Sequence, residues 1–188
     1  MIDIERQKKN FINHVATFQD FGNIKILDFR IPDSIYYAIR FIFEEDHYRL
    51  HISGDLGELI AFNQTNMRYE TFGDFVNNTG YFEEKICCHN RPIHVYDREK
   101  AKSELIAIIK EYDLIIDEDE MDDKVDEILA DFDEENGISY EGYKILEEID
   151  SDCWEYAHDL GEEDTGILEL YMLAFKLAQK QLKGGKEE

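Results

Sequence analysis

The first half of the chain alternates apolar and polar residues over several consecutive segments. In the best of them, Tyr48, Leu50 and Ile52 fall on one face and the residues between them on the other, which is the period of a half-buried strand. The turn-forming sequence GDLG at 54–57 follows directly. We therefore expect an antiparallel meander with one polar face. Its predicted strands are 24–31, 35–43, 47–53 and 58–64.

Helical spacing of apolar residues appears on both sides of these strands. Within the first 20 residues, Phe11, Val15 and Phe18 recur at about one turn and predict a short helix. Thr71 and Asp97 are N-cap candidates for two later helices. The remaining predicted helices are 139–149, 151–160 and 164–182. The last of these is apolar on more than one face, so we expect it to be the central helix of the second half.

A dense run of acids, EYDLIIDEDEMDDKVDEILADFDEEN, covers residues 111–136. Within it, Val125, Ile128, Leu129 and Phe132 follow the i, i+3, i+4, i+7 spacing of an amphipathic helix, and acids fill the positions between them. This pattern indicates a folded acidic surface around an apolar stripe, not a solvated tail.

The predicted fold class is α+β, with an N-terminal antiparallel sheet with helices followed by an acidic helical half. The predicted domains are 1–111, an α+β domain, and 112–188, an acidic helical domain. The alternative is that the two halves pack as one unit.

The charge distribution changes the functional picture. The net charge is −24, and residues 111–164 hold 24 Asp/Glu against 2 lysines, a net of −22. Such a segment repels nucleic acid and attracts a basic protein surface. The N-terminus lacks a long apolar run, no segment is apolar enough to span a membrane, and three cysteines do not predict a disulfide framework. These features predict a cytoplasmic protein.

The sequence CCHNRPIH gathers thiol and imidazole side chains that are typical zinc ligands. We predict a structural Zn²⁺ site, with two more distant residues, Cys153 and His158, able to complete four ligands. The alternative is a buried cysteine, an exposed cysteine and surface histidines. The candidate metal ligands are Cys87, Cys88, His89 and His94.

The sequence gives less support to calcium binding and to enzymatic activity. DFDEENGISYEG at 131–142 resembles a calcium loop, but its glycine, Gly137, comes one position late and Gly142 replaces the final glutamate, so an ordinary acidic turn is favoured. No nucleophile elbow, zinc-protease, phosphate-loop or dinucleotide motif is present in the sequence. We therefore expect no enzyme.

Two segments carry a resemblance. YRLHISGDLGELIAF at 48–62 and FGDFVNNTGYFEEKI at 72–86 resemble uncharacterised small proteins encoded by phages and prophages of Gram-positive bacteria. The resemblance covers about residues 35–110 and implies no activity by itself. In its size, acidity and lack of enzyme motifs, the whole chain is also similar in character to phage anti-CRISPR proteins that inhibit Cas9, some of which bind metal.

These resemblances imply a phage-encoded inhibitor in the bacterial host cytoplasm. It would act as a DNA mimic that binds Cas9, a basic nucleic-acid-binding protein, through its acidic surface and blocks target DNA loading, without binding nucleic acid or membrane itself. The alternatives are a metal-dependent enzyme using the Cys/His cluster and a generic acidic phage module for protein–protein interaction. The predicted contact residues are Asp117, Glu118, Asp119, Glu120, Asp122, Asp123, Asp126, Glu127, Asp131, Asp133, Glu134 and Glu135.

Overall fold

The structure, a computed structural model, describes residues 3–65, 67–112, 114 and 119–184. Its fold is α+β, as the hydrophobic pattern predicts. The elements in chain order are α1 (Ile4–Asn10), β1 (Val15–Asp20), β2 (Ile24–Arg30), β3 (Ile39–Glu44), β4 (Arg49–Gly54), β5 (Leu59–Phe62), a 3₁₀ helix (Phe72–Asn77), α2 (Thr79–Glu83), β6 (Ile86–His89), β7 (His94–Tyr96), α3 (Arg98–Glu111), α4 (Met121–Ile128), α5 (Tyr140–Ile149), a second 3₁₀ helix (Cys153–Glu155), β8 (Glu162–Asp164) and α6 (Ile167–Gly184).

The chain divides into two compact units. The sheet unit comprises Met1–Ile93 and Gly166–Glu188, and the acidic unit comprises His94–Thr165. This division differs from the predicted boundary at 111/112. The helix α3 packs with α4 and therefore belongs to the acidic unit, whereas α6 returns to the sheet unit.

Six antiparallel strands form the sheet in the order β1-β2-β3-β4-β5-β6. The predicted meander is confirmed, and β1 and β6 extend it at its two edges. One cross-strand row joins Leu27, Phe41, Ile52 and Leu59, all of which are buried. Alternate residues of each strand therefore form the core of this unit.

The sequence predicts one helix over the first 20 residues, and this prediction is wrong for residues 15–20, which form a strand. The helix α1 ends at Asn10, and β1 pairs with β2. Phe11, Val15 and Phe18 fit a helical spacing, but the alternation of partly buried Ala16 and Phe18 with exposed neighbours is that of a strand. Phe18 stacks on Tyr69 with ring centroids 4.3 Å apart.

The helix α6 packs on the sheet, so the prediction that it is the central helix of the acidic half is wrong. The Phe175 ring lies 5.5 Å from that of Phe41 and 4.9 Å from that of Phe72. The Tyr171 hydroxyl donates a hydrogen bond of 3.1 Å to the Leu56 carbonyl. The helix is apolar on more than one face because it contacts the sheet and also α1, α2 and the first 3₁₀ helix.

The sheet unit contains a buried histidine, His14. The His14 Nε2 donates to the Tyr37 carbonyl at 3.1 Å, and its buried Nδ1 has no hydrogen-bond partner among the described residues. Burial lowers the pKa of His14 below its ordinary value, although the bond to Tyr37 opposes this shift. Protonation would place a second N–H in a site that offers it no acceptor.

Because the unfolded chain binds this proton near pH 6.5 and the folded chain resists it, the stabilising contribution is complete above about pH 6.5 and is lost as the pH falls. We expect the free energy of unfolding of the sheet unit to fall by up to about 1.4 kcal/mol per pH unit from this residue. Urea unfolding at pH 7.5 and 5.5 checks it, with His14→Gln as the comparison. Equal losses in both proteins would contradict this role.

The acidic unit has an apolar core of its own. The helices α3, α4 and α5 contribute to it, and the predicted apolar stripe lies in it, with Phe132 partly buried at its edge. The core residues are Ala101, Leu105, Ile109, Val125, Ile128, Leu129, Leu146, Cys153, Ala157 and Leu160. The carboxylates therefore stand on a folded scaffold.

The segment 151–160 is mostly turn, not the predicted helix. The Asp150 carboxylate accepts hydrogen bonds from the Asp152 N–H at 2.9 Å and the Tyr156 hydroxyl at 2.9 Å. These local side-chain bonds compete with helical backbone bonds. Only the short 3₁₀ helix Cys153–Glu155 remains.

Asp97 is the N-cap of α3, as predicted. Its carboxylate accepts from the Lys100 N–H at 2.7 Å. We expect Asp97→Ala to lower the free energy of unfolding of the acidic unit by about 1 kcal/mol, because a helix N–H loses its acceptor. Asp97→Asn keeps an acceptor and serves as the control. Thermal unfolding of both variants measures the difference, and equal stability of Asp97→Ala and wild type would contradict it.

None of the helices within the described residues is long and apolar enough to cross a membrane.

Candidate partner-binding surface

The negative charge of the protein is concentrated in one of its two units. The acidic unit holds 27 Asp/Glu and 6 Lys/Arg side chains, a net of −21, whereas the sheet unit holds 17 and 14, a net of −3. The two units together give the −24 of the whole chain. A partner would therefore meet a compact body with a strong negative field.

The helix α4 shows how the sequence produces this surface. Its periodicity places Val125 and Ile128 inward, where both are fully buried. The same periodicity directs Asp122, Asp123 and Asp126 to solvent. Burial of the apolar stripe therefore fixes the outward direction of the acids.

Ten of the twelve predicted contact residues lie within the described residues, and all ten are exposed. They are Asp119, Glu120, Asp122, Asp123, Asp126, Glu127, Asp131, Asp133, Glu134 and Glu135. Asp117 and Glu118 lie outside the described residues.

Asp126 has an internal role besides its exposure. Its carboxylate accepts from Lys102 Nζ at 3.0 Å and from Arg98 at 3.2 Å, so it ties α4 to α3. The hydrogen bond from Lys102, assisted by that from Arg98, holds the pKa of Asp126 below its ordinary value. This carboxylate is therefore less free to pair with a partner than its exposed neighbours.

Asp133 organises the turn between α4 and α5. Its Oδ1 accepts from the Glu135 N–H at 3.0 Å and from the backbone and side-chain amides of Asn136 at 2.8 and 2.7 Å. The Asn136 side chain and the Glu135 N–H lower the pKa of Asp133. Its backbone also pairs with Gly137. The segment that resembles a calcium loop is thus folded as an acidic turn.

Most cations of the acidic unit are already engaged inside it. Lys124 pairs with Glu127 at 2.8 Å, and Lys144 pairs with Glu147 at 2.6 Å. Lys100 Nζ lies 3.9 Å from a Glu104 oxygen. These short-range pairs leave the majority of the carboxylates without an internal cation, because acids outnumber bases by more than four to one.

The acidic surface extends beyond the predicted contact residues. No Lys or Arg occurs from residue 145 to residue 175. Within that stretch further exposed acids lie on the acidic unit, outside the predicted contact segment 117–135. The absence of basic residues was the signal for them. They are Glu147, Glu148, Asp152, Glu155, Asp159, Glu163 and Asp164.

The four predicted zinc ligands fall in different units. Cys87, Cys88 and His89 lie on β6 of the sheet unit, where all three are exposed, and His94 begins β7 of the acidic unit. The His89 Nδ1 donates to the Arg91 carbonyl at 2.7 Å, which leaves Nε2 as its ligand atom.

The other candidate ligands, His94, Cys153 and His158, lie in the acidic unit. The His94 Nδ1 lies 2.7 Å from a Glu162 oxygen. Cys153 is buried in the acidic unit, and His158 stacks on Tyr143. Across residues 3–65, 67–112, 114 and 119–184, no group of three or more His, Cys, Asp or Glu side chains is arranged to hold a metal ion.

No protein-family model, curated protein or solved structure matches the chain. Its own elements define it as an α+β protein with a six-stranded antiparallel sheet and a compact acidic unit.

Proposed function

We propose that the protein is a stoichiometric inhibitor that binds the basic nucleic-acid-binding surface of a partner protein through its acidic unit. The candidate partner is Cas9 in the cytoplasm of a bacterial host, and the blocked step is the loading of target DNA. The observation that carries the proposal is the concentration of −21 of the −24 charges in one folded unit.

The physical reason is the similarity between this surface and a nucleic acid backbone. A groove that binds nucleic acid presents Lys and Arg to phosphates, and carboxylates form the same charge-assisted hydrogen bonds. The apolar core fixes the helices that bear the carboxylates before binding. Less ordering is then needed at the moment of association than for an acidic tail.

Electrostatic attraction also favours rapid encounter. A strongly negative body approaches a positive groove faster than a neutral one, and the effect weakens with added salt. The same field repels nucleic acid, so the inhibitor would compete with DNA without binding it. The resemblance of residues 35–110 to phage and prophage proteins supports a role in a bacterial host.

Inhibition of DNA cleavage tests this function. Purified Cas9 with its guide is incubated with increasing amounts of the protein before target DNA is added. We expect inhibition that saturates near one protein per Cas9 and that weakens when DNA is loaded first. An absence of inhibition across several Cas9 orthologues would remove Cas9 as the partner.

Zinc binding by Cys87, Cys88, His89 and His94 stays a prediction. In the proposed function such a zinc ion would be structural and would hold the segment 87–94. A metal-dependent enzyme, the alternative, requires turnover that depends on this metal, whereas an inhibitor requires only binding.

A further inference from the structure

The only tryptophan of the chain, Trp154, is exposed to solvent on the acidic unit. It is 59% exposed, although large aromatic side chains are mostly buried in folded proteins. Cys153, beside it, is fully buried, and Ala157 and Leu160 are 1% and 2% exposed. The segment is therefore packed against the core, and its largest apolar side chain points away from that core.

The backbone that carries Trp154 is held from both sides. The Cys153 N–H donates to the Asp150 carbonyl at 3.2 Å, and the Ala157 N–H donates to the Cys153 carbonyl at 2.8 Å. The Tyr156 hydroxyl donates to Asp150, and the His158 ring stacks on Tyr143 of α5. The exposed indole is thus presented on an ordered turn, which limits the entropy lost when a partner binds it.

The charges around the indole are negative. Asp152, Glu155 and Asp159 are exposed within five residues of it, and residues 145–175 contain no Lys or Arg. Tyr140 offers a contrast on the same unit, because the Lys144 ammonium lies 5.7 Å from its ring centroid. Among the described residues, lysine ammonium groups lie over the rings of Tyr81 and Tyr140, and none lies over Trp154.

We propose that Trp154 is the anchor of the partner-binding surface and that it receives an arginine of the partner. This inference rests on the proposed function for the direction of binding. A guanidinium group stacks on an indole face while its N–H groups pair with a carboxylate. Asp152 and Glu155 lie within two positions of Trp154 in the chain. Tryptophan and arginine are also the residues most often found at energetic centres of interfaces.

Tetra-arginine and tetra-lysine are direct probes of this site, because both carry four positive charges and neither contains an aromatic residue. Trp154 fluorescence is titrated with each peptide at the same ionic strength. We expect a saturable change in emission that is larger with tetra-arginine. Trp154→Ala is expected to raise the dissociation constant for tetra-arginine, measured by calorimetry, about threefold, the change given by a cation–π contact at an exposed site.

Two variants serve as controls. Trp154→Phe keeps an aromatic face and should recover part of the affinity. Tyr140→Ala removes another exposed ring of the same unit, and we expect no change because Lys144 already covers that ring. Unchanged thermal unfolding shows that each variant is folded. Equal binding of tetra-arginine by Trp154→Ala and wild type would overturn the inference.

The same variants separate this inference from the proposed function. With Cas9 and its guide, Trp154→Ala should need about tenfold more protein for half inhibition, as for an interface centre. If the variant inhibits Cas9 as well as wild type, the arginine anchor is wrong while the inhibitor function stands. If wild type inhibits no Cas9 but tetra-arginine binding depends on Trp154, the choice of Cas9 is wrong while the anchor stands.

Discussion

Gly142→Ala is expected to destabilise the acidic unit by about 3 kcal/mol, the upper part of the range for overpacking a core. A Cβ atom at this position would lie 2.0 Å from the Ile128 carbonyl oxygen and 3.1 Å from Ile138 Cγ1. The first of these atoms is backbone and cannot turn aside. The close approach of α5 to the end of α4 therefore requires glycine.

Helix propensity alone predicts the opposite sign, because alanine favours a helix over glycine by about 1 kcal/mol. Gly80→Ala in α2 of the sheet unit is the matched control, since a Cβ atom added there would meet no atom within 4 Å. Hydrogen exchange of peptides from α4 and α5 measures the loss locally. If Gly142→Ala protects these peptides as well as wild type does, the described packing of α4 and α5 is wrong.

Neutralising three acids on the turn after α4 is expected to weaken inhibition of Cas9 strongly. In the triple variant Asp131→Asn, Glu134→Gln and Glu135→Gln, three exposed charges are removed with little change in shape. Their side chains make no hydrogen bond or ion pair with the residues that the structure describes, so the fold should be retained. We expect about tenfold weaker inhibition of Cas9, because each exposed ion pair contributes up to about 1 kcal/mol.

A matched triple variant on the sheet unit is the control for total charge. Glu58→Gln, Asp74→Asn and Glu84→Gln remove the same side-chain types from exposed positions of that unit. We expect this variant to inhibit within about twofold of wild type, since its charges lie outside the acidic unit and are largely screened at physiological salt. Equal weakening by both triple variants would show that net charge alone, and not a particular surface, accounts for binding.

The strands between residues 24 and 64 could be predicted because a period of two, sustained over several segments, fits no other regular structure. The N-terminal residues Phe11, Val15 and Phe18 fit both a helical spacing and a helix followed by a strand, and only pairing with β2 decides between them. The apolar character of α6 indicated deep burial correctly. It could not indicate which unit α6 packs against, because the hydrophobic effect is non-directional and any apolar surface can cover the helix.

Part of the charged surface could also be predicted from the sequence. The apolar stripe of α4 was enough to predict the exposure of its acids. The internal role of Asp126 was not, since its partner Lys102 is 24 positions away and the approach of α3 to α4 is a tertiary contact. The Cys/His cluster is divided between the two units, a boundary that the sequence did not indicate, and zinc binding by it stays a prediction.

If the acidic unit occupies the place of DNA on its partner, the protein and the target duplex compete for Cas9. A fluorescent target duplex is mixed with Cas9 and its guide, and its anisotropy is followed as the protein is added before or after the duplex. We expect prior addition of the protein to abolish duplex binding, and native mass spectrometry to show no complex that contains both the protein and the duplex. A stable complex of Cas9 with both the protein and the duplex would contradict it.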